Sequence, residues 1–393
     1  MYDVPHLRFP EFSGEWVTCT LGDITSSFNL RNKDEVPYPM YSVTNNRGFI
    51  PQSEQFEDRE MIGEDAKAYK IIHKDDFAYN PARINVGSIA KYNGVHPCMI
   101  SSLYVCFKAG LQVDKDWLMQ LLKTSKMNFY YNINGEGGVR VYLFYPNFAR
   151  IRTSYPATLT EQKKIAHFLS LLDERIATQN KIIKDLKKLK SAIIENIFND
   201  RYSNKLRLGD VGSYIRGLTY NNNDVVEQGE VLVMRSNNII NGSSLDYNNN
   251  IVSVTKQISA EQQLQNGDVV ICMANGSSSL VGKSSFYDGK CLSPITVGAF
   301  CGIYRSKESI VKWLFQTNRY HRCIWNSLQG GNGAIANLNS EDILRMSFPL
   351  PDKSTTEHCI KLLSSLDSLI ENYVSLGLKF SQQKEYLLQQ MFI

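Results

Sequence analysis

Three short segments carry residue types that could do chemistry, and each departs from the pattern that its chemistry needs. Asn80-Pro81-Ala82-Arg83 falls short of the Asp/Asn-Pro-Pro-aromatic motif of enzymes that methylate an exocyclic amine. Gly330-Gly331-Asn332-Gly333 has no strand leading into it, whereas a glycine-rich cofactor loop follows a strand. Val281-Gly282-Lys283-Ser284 lacks the first glycine of a phosphate-binding loop. None of the three predicts a catalytic site.

Residues of the metal-binding and nuclease types are equally isolated. Glu161-Gln162-Lys163 has the local Glu-x-Lys form of a metal-dependent nuclease, but no paired acid stands upstream. The eight cysteines are scattered, and His321 with Cys323 and His358 with Cys359 have no second pair. We therefore expect buried, reduced thiols and no zinc site. The chain is predicted to bind rather than to catalyse.

Length and composition indicate a globular protein of two domains. The chain has 393 residues, 43% of them hydrophobic and 21% charged, with a formal net charge of +4. It contains no run of 18 apolar residues, and its first residues lack a basic stretch followed by an apolar one. We expect a cytoplasmic protein without membrane contact. A charge of +4 is too small to indicate nucleic-acid binding by itself.

The sequence is a tandem repeat of one unit, and the two copies match at six places in the same order. The matched segments are Leu21-Gly22-Asp23 with Leu208-Gly209-Asp210, Val86-Gly87-Ser88 with Val281-Gly282-Lys283, Trp117 to Gln120 with Trp313 to Gln316, Ile151 to Pro156 with Leu344 to Pro349, Leu172-Asp173 with Leu366-Asp367, and Phe198 with Phe392. Between these points the copies diverge, notably in loops rich in Asn, Ser and Gly. A common scaffold with two unlike surfaces is the expected result.

Each copy is predicted to contain a mixed α/β part followed by a long helix. Short β-rich runs with Gly and Asn turns give way to helical patterns after Pro156 and after Pro351. The predicted fold class is α+β, with two α/β domains related by an approximate twofold axis and separated by an antiparallel two-helix coiled coil. The predicted boundaries are 1–156 for the first domain, 157–203 for the first spacer helix, 204–351 for the second domain and 352–393 for the second spacer helix.

Both predicted helices carry a heptad seam. The seam positions are Ile165, Leu169, Leu172, Ile176, Ile183, Leu186 and Ile193 in the first helix, with Gln179, Lys190 and Ile197 completing the spacing, and Leu362, Leu366, Leu369, Tyr373, Leu376, Phe380 and Leu387 in the second, with Gln383. A seam this narrow needs one partner helix, and the economical partner is the other helix of the same chain. A coiled coil between two chains is the alternative.

Positive charge is concentrated on the first of these helices. Residues 161–190 contain eight Lys and Arg against four acids, which equals the excess of the whole chain. A solvated face and a contact with phosphate or with a partner protein are equally compatible with this run.

At this point the sequence resembles a known family. Units that begin near LGD and contain DDFAYNPARINVGSIAKYNG or GDVVICMANGSSSLVGKSSFYDGK resemble the target recognition domains of type I restriction-modification specificity subunits. IRTSYPATLTEQKKIAHFLSLLDERI resembles the spacer region of that family. The second copy reads PDKSTTEHCIKLLSSLDSLI there, without the EQKKIA form.

The resemblance implies a non-catalytic subunit that binds double-stranded DNA at a bipartite, asymmetric site, one half per domain. It implies two methyltransferase subunits docked on the coiled coil, with S-adenosylmethionine bound by those partners and no cofactor in this chain, and a motor and nuclease subunit for restriction. Two other functions stay open. One is a stand-alone DNA methyltransferase or nuclease, which the missing motifs disfavour, and the other is a two-headed scaffold that binds only proteins.

The candidate base-reading residues are side chains of the types that hydrogen-bond to guanine and adenine in the major groove. In the first domain they are Arg83, Asn85, Ser88, Lys91, Asn134 and Arg140, and in the second they are Arg235, Asn237, Asn238, Asn275, Ser277, Lys283, Gln329, Asn332 and Asn337. Trp117 and Trp313 are predicted to be core anchors of the repeated helix.

Overall fold

A computed structural model describes residues 4–54, 66–137, 141–199, 201–247, 249–328 and 336–393. The predicted base contacts Arg140, Gln329 and Asn332 lie outside these residues. The chain divides into two compact units, residues 1–180 with 375–393 and residues 181–374. Each unit therefore contains one α/β part and one half of each long helix.

The helices include two long ones and several short ones. Their bounds are α1 (Leu21–Ile24), α2 (Lys115–Leu122), α3 (Ser125–Asn134), α4 (Tyr145–Ala149), α5 (Leu159–Ile197), α6 (Leu208–Val211), α7 (Val311–Leu314), α8 (Asn318–Leu328), α9 (Ser340–Leu344) and α10 (Lys353–Met391). The long helices α5 and α10 have the places predicted from the heptads.

The strands are short, as the β-rich runs between turns predict. In the first unit they are β1 (Val17–Thr20), β2 (Thr25–Phe28), β3 (Tyr41–Thr44), β4 (Gly48–Pro51), β5 (Lys70–Ile72), β6 (Phe77–Tyr79), β7 (Ile89–Lys91), β8 (Cys98–Ile100), β9 (Val105–Ala109) and β10 (Arg152–Tyr155). In the second unit they are β11 (Lys205–Arg207), β12 (Gly212–Arg216), β13 (Val225–Val226), β14 (Val231–Met234), β15 (Val252–Val254), β16 (Val269–Cys272), β17 (Ala274–Asn275), β18 (Ser284–Phe286), β19 (Ile295–Val297), β20 (Cys301–Ser306), β21 (Ala336–Asn337) and β22 (Ser347–Pro349).

Each unit contains its own four-stranded sheet of the same arrangement, and the predicted mixed α/β class is confirmed. The strand order is β2-β9-β6-β7 in the first unit and β12-β20-β16-β18 in the second, with antiparallel neighbours throughout. A two-stranded ladder closes each unit, β1 with β10 and β11 with β22. The remaining strands differ, because the first unit has two separate strand pairs, β3 with β4 and β5 with β8, where the second has the sheet β13-β15-β14-β19. The four-stranded sheet and the closing ladder, which together form the framework, are thus repeated, whereas the other strands are not.

Close packing explains why Leu-Gly-Asp occurs in both copies. Leu21 and Leu208 are fully buried. A Cβ on Gly22 would lie 3.1 Å from the carbonyl oxygen of Ala149, and one on Gly209 would lie 2.9 Å from that of Leu344. The glycine therefore lets α1 and α6 approach the short helix that precedes the last strand of each unit.

The repeated tryptophans are core anchors, as predicted. Trp117 and Trp313 have no exposed surface. The Trp117 ring stacks on Phe392 with centroids 5.7 Å apart, so the end of the chain belongs to the core of the first unit. The Trp313 indole nitrogen instead donates to Asp367 on α10 at 3.0 Å. The first tryptophan thus contacts the residue that follows α10, and the second bonds to α10 itself.

The side chains of Glu161 and Gln162, at the start of α5, form hydrogen bonds that stabilise the fold. Glu161 is buried and accepts two hydrogen bonds from the Arg8 guanidinium, at 2.7 and 2.8 Å. Gln162 is also buried, accepts the Asp114 amide at 2.6 Å and donates to the Pro156 carbonyl at 2.8 Å. Both side chains are satisfied within the fold, which accounts for their types without catalysis.

The long helices pair antiparallel within each unit, as predicted. In the first unit Asp173 of α5 binds Lys384 of α10, and Arg175 stacks on Phe380, four residues earlier in α10. In the second unit Lys190 of α5 binds Asp367, while Ile194 shares a core cluster with Leu363. In both units, residues later in α5 thus pair with residues earlier in α10.

Three seam residues predicted on α10 are wrong. Leu362, Leu369 and Leu376 are exposed by 49, 40 and 40%. In the first part of α10 the buried positions stand one residue later and are Leu363, Asp367 and Ile370. The reason is that α10 packs on the α/β part of the second unit as well as on α5, which turns its buried stripe. Leu366, Tyr373 and Phe380 are half-buried and Leu387 is buried.

The predicted seam positions on α5 are buried or half-buried. Ile165, Leu169 and Gln179 are buried, and so are Lys190 and Ile197. The remaining predicted positions are half-buried, namely Leu172, Ile176, Ile183, Leu186 and Ile193.

Two ion pairs related by the repeat cross between the long helices. Lys190 and Asp367 lie 2.7 Å apart, each side chain 9% exposed. Lys384 and Asp173 lie 2.6 Å apart, but the Asp173 side chain is 47% exposed. Lys312 also reaches Asp367, at 3.3 Å, and Lys190 donates to the Gly242 carbonyl at 3.0 Å. Polar pairs inside an apolar seam favour one register and one orientation.

The cysteines are free thiols and none forms a disulfide. Burial raises the pKa of Cys98 and of Cys106 to about 12, so both thiols are protonated at neutral pH. Among the described residues no helix is long and apolar enough to cross a membrane.

Replacement of Asp367 by Ala should destabilise the protein by about 3–5 kcal/mol, because it leaves the Lys190 ammonium buried without its carboxylate. The matched change, Asp173→Ala, removes the repeat-related but exposed pair and should cost at most about 1 kcal/mol. Urea unfolding followed by circular dichroism measures both. Equal losses in the two variants would contradict the stabilising role of the buried pair.

Replacement of Gly209 by Ala should cost about 1–3 kcal/mol, because the new Cβ meets the Leu344 carbonyl oxygen. The control is Gly276→Ala, whose added Cβ has no neighbour within 4 Å. Thermal unfolding of the two variants should separate them clearly. A Gly209 variant as stable as the control would show that the close approach does not require glycine.

Candidate nucleic-acid interface

The loop that follows the third strand of the shared sheet occupies the same place in both units. It runs from β6 to β7 in the first unit and from β16 to β18 in the second. Each loop ends in the repeated Val-Gly turn, where Gly87 and Gly282 have positive φ of 95° and 82°. A Cβ on Gly282 would lie 2.7 Å from Ile324 of α8, so the turn also lets that helix pack closely.

Hydrogen bonds between main-chain atoms hold the loops at a second equivalent point. The Leu143 amide donates to the Pro81 carbonyl at 3.0 Å, and the Leu338 amide donates to the Met273 carbonyl at 2.8 Å. Arg83 and Asn275, each two residues after the bonded carbonyl, therefore stand at equivalent positions. The same bond makes Tyr142 equivalent to Asn337, and Phe144 equivalent to Asn339.

In the first unit Arg83 lies at a polar cleft. The guanidinium is exposed, and among the described residues it has no hydrogen-bond or ion-pair partner. The cleft has a volume of about 480 Å³, and its lining includes the exposed turn Asn45, Asn46 and Arg47 between β3 and β4, with Gln52 and Asn80. Amide and guanidinium groups of this kind match the donor and acceptor edges of bases.

Arg83 also lines a second, apolar cleft. Leu103 is 77% exposed, and Tyr142 and Phe144 are exposed by 37 and 49%. Together with Asn80 and Arg83 they line a cleft of about 550 Å³. Exposed apolar side chains next to unpartnered polar groups indicate a contact surface.

In the second unit the equivalent surface is lined with amides. Asn275 and Asn337 lie on the paired strands β17 and β21. The Asn275 side chain donates to Ser236 Oγ at 3.4 Å, which brings the segment after Arg235 beside the loop. Phe300, 67% exposed, accepts the Ala274 amide through its carbonyl. The structure thus brings together Arg235, Asn275, Ser277 and Asn337 of the predicted set.

The helix that packs on the Val-Gly turn adds exposed side chains in both units. On α3 these include Phe129 and Ile133, exposed by 60 and 59%, and on α8 Trp325, exposed by 64%. The helix starts alike in both units, since the hydroxyls of Thr124 and Thr317 accept the amides of Met127 and Tyr320. The repeated part of the helix is its cap, and its outer face differs.

Three predicted base contacts are wrong because the structure already uses their polar groups. Ser88 is buried and donates to the Val43 carbonyl at 2.8 Å. Lys91 forms ion pairs with Asp116 at 2.6 Å and Asp75 at 3.6 Å. Asn238 has no exposed surface and donates to the Asp246 and Asn249 carbonyls, which holds the loop that contains it.

The other predicted residues are only partly available. Asn85 donates to Asn132 of α3 at 3.0 Å, and Asn134 donates to the Tyr130 carbonyl at 2.9 Å. Lys283 is half-buried at the position equivalent to Ser88, and Asn237 is exposed. Arg235 is exposed and donates to the Asn250 carbonyl at 3.2 Å.

Sequence reasoning missed the turn residues Asn45, Asn46 and Arg47 and the pair Tyr142 and Phe144. The first three precede a glycine between two β-rich runs, which is a hairpin signal that would have placed them at an exposed turn. The aromatic pair flanks the buried Leu143, and alternation of this kind indicates that both rings lie on the opposite face. Among the described residues no group of His, Cys, Asp and Glu could hold a metal ion.

Comparison with known proteins identifies part of the chain by sequence. Residues 202–374 match the family model for the type I restriction modification DNA specificity domain. The type I restriction enzyme StySPI specificity subunit of Salmonella potsdam is 31% identical over 169 residues, which cover 40% of this chain and 35% of that protein. The match thus spans about a third of the relative's length.

Comparison of folds extends over nearly the whole chain. The type I restriction-modification S subunit of M. genitalium superposes with a TM-score of 0.59 at 12% identity, covering 99% of both chains. A structure described as the basis of complex assembly and conformational transition of the type I R-M system gives a TM-score of 0.53 at 12% identity, covering 96% of this chain and 97% of the other. The sequence match is thus confined to residues 202–374, and over nearly the whole chain the fold is similar to that of type I restriction-modification S subunits.

Proposed function

We propose that this chain reads a bipartite, asymmetric site on double-stranded DNA, one half with each unit, and that its paired helices dock two methyltransferase subunits. It contributes sequence recognition to the complex, and no catalytic residue is assigned to it. S-adenosylmethionine and methyl transfer to adenine belong to the partner subunits, and a motor and nuclease subunit joins for restriction.

The observation that carries the proposal is the contrast between framework and surface. The buried framework repeats, from the fully buried Leu21 and Leu208 to the tryptophans beneath each helix pair. At equivalent surface positions, however, the two units differ. The first has Arg83 where the second has Asn275, and Tyr142 where the second has Asn337. Guanidinium groups favour guanine and side-chain amides favour adenine in the major groove. Two such surfaces suit two unlike half-sites, whereas two identical ones would read a palindrome.

The exposed leucines of α10 support partner docking. Leu362 and Leu369 stand seven residues apart on the second unit's part of the helix, so both lie on one face. Their exposure of 49 and 40% leaves apolar surface open on that face. In the same unit α5 carries exposed lysines, at Lys181, Lys184, Lys187 and Lys188. Exposed apolar side chains on a long helix are a feature of surfaces that bind other proteins.

Co-expression with a type I methyltransferase subunit from the same organism, followed by mapping of methylated adenines, should yield a split motif with two unlike halves. Exchange of residues 204–351 for the second domain of another specificity subunit should change one half and leave the other, because each unit carries its own surface. The unmodified chain and an exchange of the first domain are the controls. A change in both halves, or in neither, would contradict the assignment of one unit to one half-site. Methylation without any motif would favour a scaffold that binds only proteins.

The double change Leu362→Asp with Leu369→Asp should weaken binding of the methyltransferase subunit by tenfold or more, about 1.4 kcal/mol per tenfold, because it puts charge into an apolar contact. The exposed Ser368→Asp adds a charge on the same helix as a matched control. Analytical ultracentrifugation of the mixed subunits measures the affinity, and circular dichroism checks the fold. Unchanged assembly would mean that the partner docks elsewhere.

A further inference from the structure

Arg83 stands on a main chain that is held at three points. Its amide donates to the Asn80 carbonyl at 3.0 Å, and its carbonyl accepts the amides of Val86 at 3.2 Å and Ser88 at 3.1 Å. The Asn80 side-chain oxygen also accepts the Ala82 amide at 3.0 Å, which closes the turn before Arg83. The loop therefore fixes the point from which this side chain projects, and a fixed origin lowers the entropic cost of a specific contact.

The guanidinium of Arg83 is free although its main chain is fixed. The side chain is exposed and has no hydrogen-bond or ion-pair partner among the described residues. Arg8 and Arg305, by contrast, bind the buried carboxylates of Glu161 and Asp268 at 2.7 Å. A guanidinium carries donors in a planar fork and no acceptor. The donors of Arg83 are therefore available to a ligand, whereas those of the other two arginines stabilise the fold.

The two clefts that Arg83 lines contain no carboxylate among their described residues. One is lined mainly by polar side chains, and the other by the exposed Leu103, Tyr142 and Phe144. A ligand that covers the apolar cleft removes water from the neighbouring guanidinium, so the ligand itself must supply the acceptors. A donor that is left without a partner on binding costs more than the net gain of a formed hydrogen bond. Arg83 therefore discriminates against ligands that offer no acceptors at this point.

The equivalent position of the second unit lacks such a free group. The Asn275 side-chain oxygen accepts the Ser277 amide at 3.0 Å, and its nitrogen donates to Ser236 Oγ at 3.4 Å. Both ends of this amide are thus bonded within the second unit. The donor fork at this point of the framework belongs to the first unit, so we expect its effect in one half-site and not in the other.

We propose that Arg83 reads one guanine of the first half-site, by donating from its guanidinium to N7 and O6 of that base in the major groove. The proposal rests on the proposed function, because it takes double-stranded DNA as the ligand. It adds the base that the first unit selects and the residue that selects it. Guanine presents two adjacent acceptors on its major-groove edge, whereas adenine presents one acceptor beside a donor. A DNA phosphate also accepts from a guanidinium, and the test separates the two contacts.

The test uses the assembled complex of the full chain with its methyltransferase subunit. The first half-site is the half of the methylated motif that persists when residues 204–351 are exchanged. Each G·C pair of the motif is replaced in turn by A·T, and the affinity for each duplex is compared with that for the intact motif. One replacement in the first half-site should weaken binding by the unmodified complex about tenfold or more. Arg83→Ala should bind the intact motif about tenfold more weakly and should be insensitive to that one replacement.

Arg150→Ala is the matched control, since Arg150 is an exposed arginine of the same unit that lines neither cleft. It should keep the sensitivity to every replacement. Replacements in the second half-site should affect all variants alike, which also shows that the Arg83 variant is folded.

A first half-site without a G·C pair overturns the proposal, and so does an Arg83 variant that stays sensitive to every replacement. Equal weakening on all duplexes, with a fall of about one in the slope of log affinity against log salt concentration, would assign Arg83 to a phosphate and overturn the guanine contact. In each of these cases the proposed function stands. It fails if the unmodified complex does not distinguish the motif from a scrambled duplex.

Discussion

The ion pair between Lys190 and Asp367 is the constraint on which the rest of the second unit depends. Leucine and isoleucine seams allow neighbouring helices to slide by a turn at little cost, whereas a buried ammonium and carboxylate must meet. Asp367 also accepts the Trp313 indole, and Lys190 donates to Gly242 in a surface loop. One contact thus fixes helix register, the core tryptophan and a loop together. The repeat-related pair of Asp173 and Lys384 sets the same register in the first unit with less burial.

The fold separates residues that hold the framework from residues that face outward. Leu21, Gly22 and Trp117 recur because a buried side chain, a close approach and a core ring admit few replacements. The outer positions carry no such demand, and there the copies differ. The Glu-Gln-Lys segment belongs to the framework, although its spacing resembles a nuclease motif, because Glu161 accepts from Arg8 and Gln162 donates to the Pro156 carbonyl.

Much of the framework could be predicted from the sequence, because its signals are local or repeated. Heptads located α5 and α10, and the repeat predicted two α/β units. The register of α10 could not be predicted, since Leu362 and Leu363 are equally apolar and the contacts of Asp367 with Lys190 and Trp313 decide which one is buried. Polarity likewise did not distinguish Arg83, which is exposed, from Asn238, which is buried, because the difference lies in carbonyl partners distant along the chain.

The loops at the candidate interface are anchored by amide and carbonyl groups, through Leu143 to Pro81 and Leu338 to Met273. Nearly every amino acid supplies these two groups, and only proline lacks the amide. Substitutions at Arg83, Asn275 or Tyr142 therefore leave the anchors intact. The side chains of such a surface can therefore change one residue at a time without loss of the fold.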